Sequence, residues 1–250
     1  MNNFTAHQLH FTCEVQTPIL LNQHQGSAIR GALFHALRSQ FCFNKKAKDC
    51  GDCALWATCP ICFLVATRNP QSGRGTDVPR PYVIESPLDG KTRYQPGEIL
   101  KFGLTMFAQA LDFFPYVVLG SKALEQEGLG KRINESANQR MGESANGRRG
   151  KRRGTFVIRE LAALNRLTGE RQPVLHQGDT MVEVPNLPVT NEQVQALAAQ
   201  LPRDRITLMF KTPTRIIDGG KLLHRPAFRP LIQRLHQRLC DLTREFTDTP

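Results

Sequence analysis

Apolar and polar positions alternate loosely from residue 4 to 15 and stop at Thr17-Pro18, which predicts an N-terminal strand. Ile29, Leu33, Ala36 and Leu37 then recur at helical spacing within residues 26–38, with Ser27 as the candidate N-cap. At about 100° per residue, Ser27, Gly31, His35 and Arg38 share the opposite, polar face. Further on, the pattern predicts short strands at Tyr82–Glu85 and 98–107, and a helix over 115–127. Residues 155–161 read as a strand running into a short helix, and 191–201 as a helix capped by Thr190 or Asn191. Residues 205–211 alternate with period two and stop at Pro213. Phe228, Leu231, Ile232, Leu235, Leu239 and Leu242 form a helical stripe just after Pro226. The order is βαββαβ, a linker, then βα, so the fold class is α+β. The first six elements have the order of a split βαβ, ferredoxin-like domain. We place that domain at residues 1–165, a linker and helix at 166–202, and a second, partial ferredoxin-like domain at 203–250.

Composition adds little until charge is placed along the chain. A chain of 250 residues with 40% hydrophobic residues is neither largely disordered nor collagen-like nor a coiled coil. No apolar run approaches the roughly 18–20 residues that cross a bilayer. The N-terminus lacks the basic start and apolar core of a secretory signal, so a cytoplasmic location without membrane partners is expected. The net charge is +11, but residues 128–154 carry +6 and residues 203–238 carry +7, leaving −2 for the other 187 positions. Two basic clusters on a near-neutral body point to a polyanion such as RNA. The first cluster contains Glu-Ser-Ala-Asn-x-Arg twice at an eight-residue period, which reads as an expansion within a glycine-rich loop. Glycines beside Lys and Arg let backbone N–H groups and side chains approach phosphates together.

Five of the seven cysteines fall between Cys42 and Cys62. Cys50-x2-Cys53 and Cys59-x2-Cys62 are paired turns of the kind that share a tetrahedral cation. Structural zinc is the first expectation and an iron–sulfur cluster the second; unliganded thiols are the remaining alternative. Five thiols exceed four ligand positions, so either Cys42 or Cys62 is spare. Cys13 and Cys240 lie in apolar patterns and read as core residues.

Several stretches together resemble a family. They are 29–38 (Ile-Arg-Gly-Ala-Leu-Phe-His-Ala-Leu-Arg), the Cys42…Cys50-x2-Cys53…Cys59-Pro60 series, Pro81-Tyr82-Val83-Ile84-Glu85-x-Pro87, Tyr94-x-Pro96-Gly97-Glu98, Gly128-Leu129-Gly130 and 209–215 (Met-Phe-Lys-Thr-Pro-Thr-Arg). In order and spacing they resemble the CRISPR repeat-processing endoribonucleases of the RAMP superfamily. The resemblance implies two ferredoxin-like domains and a glycine-rich loop that contacts RNA. It also implies metal-independent cleavage of the repeat hairpin, leaving a 2′,3′-cyclic phosphate and a 5′-hydroxyl. It favours Cys42, Cys50, Cys53 and Cys59 as the metal set, with Cys62 extra. The chain departs from the family in its second domain, which appears only as one strand and one helix before Pro250. A short natural form is the expectation, with an N-terminal piece of a longer protein as the alternative.

The reaction needs a base at the 2′-hydroxyl, an acid at the leaving oxygen and a cation on the phosphorane. His35 and Arg38 are the leading catalytic candidates because they share a polar helical face; packing at an interface is the competing role for His35. His24 is the second candidate base, and an arginine-only mechanism using Arg30 or Arg38 is a third option. RNA contacts are expected from Arg30, from Lys131, Arg132, Arg148, Arg149, Lys151, Arg152 and Arg153 of the basic insertion, and from Lys211 and Arg215. Trp56 is expected to pack within the cysteine lobe. The expected partners are CRISPR repeat or guide RNA and other effector subunits. A noncatalytic RAMP subunit is the alternative function; a zinc-ribbon DNA regulator lacks a recognition helix.

Overall fold

A computed structural model describes residues 4–68, 77–134 and 151–247. The elements run β1 (Ala6–Val15), β2 (Ile19–Leu20), α1 (Gln25–Phe41), α2 (Pro60–Val65), β3 (Tyr82–Glu85), β4 (Arg93–Tyr94) and β5 (Ile99–Phe107). A 3-10 turn at Ala108–Phe113 leads into α3 (Phe114–Glu127), followed by β6 (Leu129–Asn134), β7 (Lys151–Gly154), β8 (Phe156–Leu164) and β9 (Arg171–His176). The chain ends with α4 (Asn191–Gln200), β10 (Ile217–Asp218), β11 (Lys221–Leu222) and α5 (Phe228–Phe246).

The main sheet is antiparallel with order β3-β5-β1-β8-β9. Taking β1-α1-β3-β5-α3-β8 as the βαββαβ unit, the first four positions of the sheet order are those of a split βαβ, and the fold is α+β and ferredoxin-like. Period-two alternation explains why β1 is central. Leu9, Phe11, Cys13 and Val15 are buried on one face, opposite Leu104, Phe102 and Leu100 of β5. Helices α1 and α3 cover that face through Ile29, Leu33, Leu37, Val117 and Leu124. The other face carries His10, Thr12, Glu14 and Lys101 and is closed by ion pairs of Arg159 with Glu14, Arg166 with Glu85 and Arg171 with Glu160.

The structure departs from the sequence expectation in four places. Helix α1 starts at Gln25 with His24 as an N-cap that makes no side-chain cap bond, so Ser27 lies inside the first turn. Residues 155–161 do not turn helical: Leu161, Ala162 and Ala163 are all buried in one long strand, because the β8–β9 register shifts between Leu161 and Ala162. The sheet also continues past residue 165. β9 is its fifth strand, and Val189 exchanges backbone hydrogen bonds with Ala6 at 3.1 and 2.8 Å. Finally, 205–211 is exposed throughout and unpaired. Among the described residues its alternation meets neither a ladder partner nor a core, and without these period two does not make a strand. Within residues 203–247 the described elements are the β10–β11 pair and α5.

Strands β6 and β7 pair as the base of the basic insertion. Gly130 (φ +87°) and Gly154 press this hairpin onto Pro18–Leu20; a Cβ at Gly130 would sit 2.5 Å from the Leu20 carbonyl oxygen. The duplicated Glu-Ser-Ala-Asn-x-Arg units, with Arg148 and Arg149, lie outside the described residues. Helix α4 begins at a capping box: Thr190 Oγ1 accepts from the Gln193 N–H, and Gln193 Oε1 accepts from the Thr190 N–H at 3.1 Å. Among the described residues no helix is long and apolar enough to cross a membrane.

Two histidines of β1 make stability fall with acid. Burial lowers the pKa of His7, whose Nδ1 has no hydrogen-bond partner among the described residues. Burial also lowers that of His10, with Glu85 opposing and Arg166, Lys101 and Arg171 adding to the effect. A neutral folded imidazole stabilises the fold above the unfolded value of about 6.5. That stabilisation is lost as pH falls from about 6.5 through the lowered folded values. The melting temperature is expected to drop between pH 7 and pH 5, and His7→Gln to flatten that drop.

Candidate nucleic-acid interface

A cleft of about 330 Å³ opens where the start of α1, the lead-in to β3, the loop at Thr212-Pro213 and helix α5 meet. Each wall has a local cause. Gln25 anchors the start of α1 by donating its Nε2 hydrogen to the Lys91 carbonyl at 2.6 Å. Gly26 lets that turn approach β3, since a Cβ there would lie 2.7 Å from Ser86 Oγ. Arg80 sits between Pro79 and Pro81, which hold the backbone extended. Helix α5 is seated by its buried Leu242 and Phe246, the latter packed edge-on against Phe63 of α2 with centroids 5.6 Å apart. One turn before Leu242, Arg238 enters the cleft and donates to the Arg80 carbonyl at 3.5 Å.

The cleft holds Arg30, Arg80 and Arg238 together, with His24 and Ser27 also lining it. None of the three guanidiniums forms an ion pair among the described residues, whereas those on the open sheet face are paired. Burial lowers the pKa of Arg80, as does the neighbouring Arg30, with Tyr82 opposing. Burial likewise lowers that of Arg238; Asp241 opposes this at longer range and Arg80 adds to it. A guanidinium keeps its charge through such a shift. Beneath them Tyr82 is 2% exposed, and its hydroxyl has no hydrogen-bond partner among the described residues. Burial raises the Tyr82 pKa, with Arg80 and Arg30 pulling the other way. The result is a concave, uncompensated cationic site with a protonated phenol at its base, which suits a phosphate and the groups attached to it.

Three of the stretches singled out in the sequence converge here: 29–38 supplies Arg30, 81–87 supplies Tyr82, and 209–215 supplies Thr212 and Pro213. Lys211 and Arg215 flank that loop and are exposed. The leading catalytic pair is not in the cleft. His35 is exposed on α1, its ring edge-on to Phe34 at 5.3 Å. Arg38 is turned to the cysteine lobe, donating to the carbonyls of Ala47 and Lys48, the latter at 3.3 Å. Arg30 and His24 both line the cleft. Arg80, Arg238 and Tyr82 line it too, although no role is expected of them from the sequence, where Tyr82 stands only within 81–87. Lys131, Arg132 and Arg152 are exposed on the β6–β7 hairpin, and Arg153 is half-buried there. Lys151 opens β7.

The cysteine lobe lies beyond the far end of α1. Cys42, Cys50, Cys53, Cys59 and Cys62 line one cavity of about 10 Å³ together with Arg38. The Cys62 thiol is within hydrogen-bond reach of both Cys50 and Cys59, so the cysteine read as extra sits among the others. Cys53 Sγ accepts from Asn44 Nδ2 at 3.6 Å. Burial raises the thiol pKa of Cys50 and of Cys62. Among the described residues no group of three or more His, Cys, Asp or Glu side chains is arranged to hold a metal ion. Cys13 is buried in the core, while Cys240 is half-buried beside His236, not a core residue. Trp56 packs half-buried against the core.

The family model AF_1859_N, described as an N-terminal domain, matches residues 4–187. No curated protein matches. Among solved structures, a chain from the crystal structure of the Csm3-Csm4 subcomplex in the type III-A CRISPR-Cas interference complex is similar. The identity is 16% and the TM-score 0.42, covering 80% of this chain and 98% of that one.

Proposed function

The chain belongs to the AF_1859_N family through its N-terminal domain, and on that premise we propose that it is a CRISPR-associated RAMP-type endoribonuclease that cleaves precursor repeat RNA in the arginine cleft. The observation that carries this reading is the unpaired Arg30, Arg80 and Arg238 gathered over the protonated Tyr82. In the reaction the 2′-oxygen bonds to phosphorus while the bond from phosphorus to the 5′-oxygen breaks. His24, at the rim, takes the 2′-hydroxyl proton, and the leaving oxygen gains one from Tyr82 or from water. The guanidiniums hold the phosphorane, whose charge exceeds that of the ground-state phosphate. The β6–β7 hairpin adds backbone contacts through Lys131, Arg132, Arg152 and Arg153. The charges of the open sheet face are self-paired through Arg159, Arg166 and Arg171, which makes it a poorer RNA platform than the cleft.

A second reading, a noncatalytic RAMP subunit that holds guide RNA in an effector complex, is favoured by α5. Phe228 and Leu235 on that helix are 67% and 52% exposed, as expected of a surface covered by another subunit. Incubation with repeat RNA in EDTA separates the two. The enzyme reading expects a product with a 2′,3′-cyclic phosphate and a 5′-hydroxyl, and no cutting of RNA carrying a 2′-deoxy nucleotide at the scissile position. RNA that is bound but never cut would support the subunit reading.

A further inference from the structure

We propose that the exposed apolar seam of α5 is a docking site for an acidic amphipathic helix of a partner protein. Phe228, Ile232, Leu235, Leu239, Leu242 and Phe246 recur at alternating steps of four and three residues, the spacing of a helix-pairing seam. The chain covers only the last two: Leu242 and Phe246 are buried, Phe246 against Phe63 of α2. The first four are between 41% and 67% exposed, over about three turns or roughly 16 Å of helix. None of these four lines the cleft. The proposal names an occupant for the surface on which the subunit reading rests, and it holds whether or not RNA is cut in the cleft.

Charge selects the occupant. Residues 228–239 carry Arg229, Arg234 and Arg238 and no acidic residue. The two acids of α5, Asp241 and Glu245, lie in its last turns and are both paired with Arg244. Arg229 and His236 flank the seam on one side, and Leu231 and Arg238 on the other. Among the described residues Arg229 forms no ion pair. A second copy of the chain would bring like charges together across the seam, and so would a lysine-rich helix. Nucleic acid would neutralise the arginines but leave Ile232, Leu235 and Leu239 unused, since aliphatic side chains give bases no aromatic face to stack on. A bilayer surface calls for a broad apolar face. These four side chains span only about 60° of the helix at roughly 100° per residue. What fits is a helix with leucine-like side chains at the same alternating spacing and Glu or Asp beside them.

The test titrates the unmodified full chain against two labelled synthetic helices of about three heptads. Both carry Leu at the seam positions; one has Glu and the other Lys at the flanking positions. Fluorescence anisotropy is expected to show the Glu helix binding about tenfold or more tighter than the Lys helix, with the preference shrinking as salt is raised. Leu235→Gln, at an exposed position, should keep the parent's melting temperature and weaken binding of the Glu helix about tenfold or more. Arg229→Glu should lose affinity for the Glu helix and gain it for the Lys helix, a reversal that a merely structural role for Arg229 does not give. Equal affinity for the two helices, no binding of either, or binding unchanged by Leu235→Gln would each overturn the proposal. So would loss, in Leu235→Gln, of binding to phosphatidylglycerol vesicles, of RNA binding or of self-association, each of which would assign the seam to that occupant instead.

Discussion

Replacing Arg80 with alanine is expected to lower repeat-RNA cleavage about 10²–10³-fold, the loss typical of one group that stabilises developing charge. Arg80 is half-buried between two prolines and lies close enough to Arg30 and Arg238 for the three to repel one another. Among the described residues no ion pair offsets that repulsion, so the melting temperature of the alanine variant is expected to hold or rise. The loss should appear in kcat more than in KM, because the phosphorane carries more charge than the phosphate. Arg80→Lys keeps the charge without the planar fork and should recover only part of the rate. The double variant with Arg238→Ala should fall short of the product of the single effects, since both groups act on one phosphate. Single-turnover cleavage of repeat RNA, alongside thermal melts, measures all of these.

Phe11→Ala is expected to cost about 3–5 kcal/mol of folding stability, enough to leave a domain of ordinary stability marginal. Phe11 is 0% exposed on the central strand and stacks on Phe102 of β5 with centroids 4.7 Å apart and planes 8° from parallel. Its ring sits between the sheet and the two covering helices, where nothing small can close the gap. Phe228, 67% exposed at the start of α5, is the control, and its alanine variant should lie within about 0.5 kcal/mol of the parent. Urea unfolding of the two variants gives the comparison. Equal losses would mean that the core is not centred on β1.

The residues explain which parts of this structure were readable in advance. β1, β3, β5, α3 and α5 were legible because each buries at least part of one face, and a buried face leaves its period in the sequence; α4 buries no residue and was legible from its cap at Thr190. Residues 205–211 carry the same period but no partner strand, so the same signal misleads there. β9 was missed because Pro173 interrupts its run, although Val174 and Leu175 are buried. The site was harder to read than the fold. Helical spacing placed His35 and Arg38 on a polar face correctly, but spacing does not say what lies over that face. The cysteine lobe folds against Arg38 and leaves His35 bare, and the cleft forms a turn and a half earlier, at Arg30. Arg80 and Arg238 are 158 positions apart and share no local pattern; only the seating of α5 by Leu242 and Phe246 brings them together. Cys62 was set aside by resemblance, while its contacts put it among the other thiols.

Crosslinking repeat RNA that carries a photoreactive uridine at the scissile nucleotide tests most directly whether the arginine cleft is where RNA is held. Crosslinks are expected in peptides covering residues 23–30, 78–86 or 212–215, and Arg30→Ala together with Arg80→Ala should abolish them. Crosslinks confined to the open sheet face around Lys101 and Arg159, unchanged by those substitutions, would contradict the assignment.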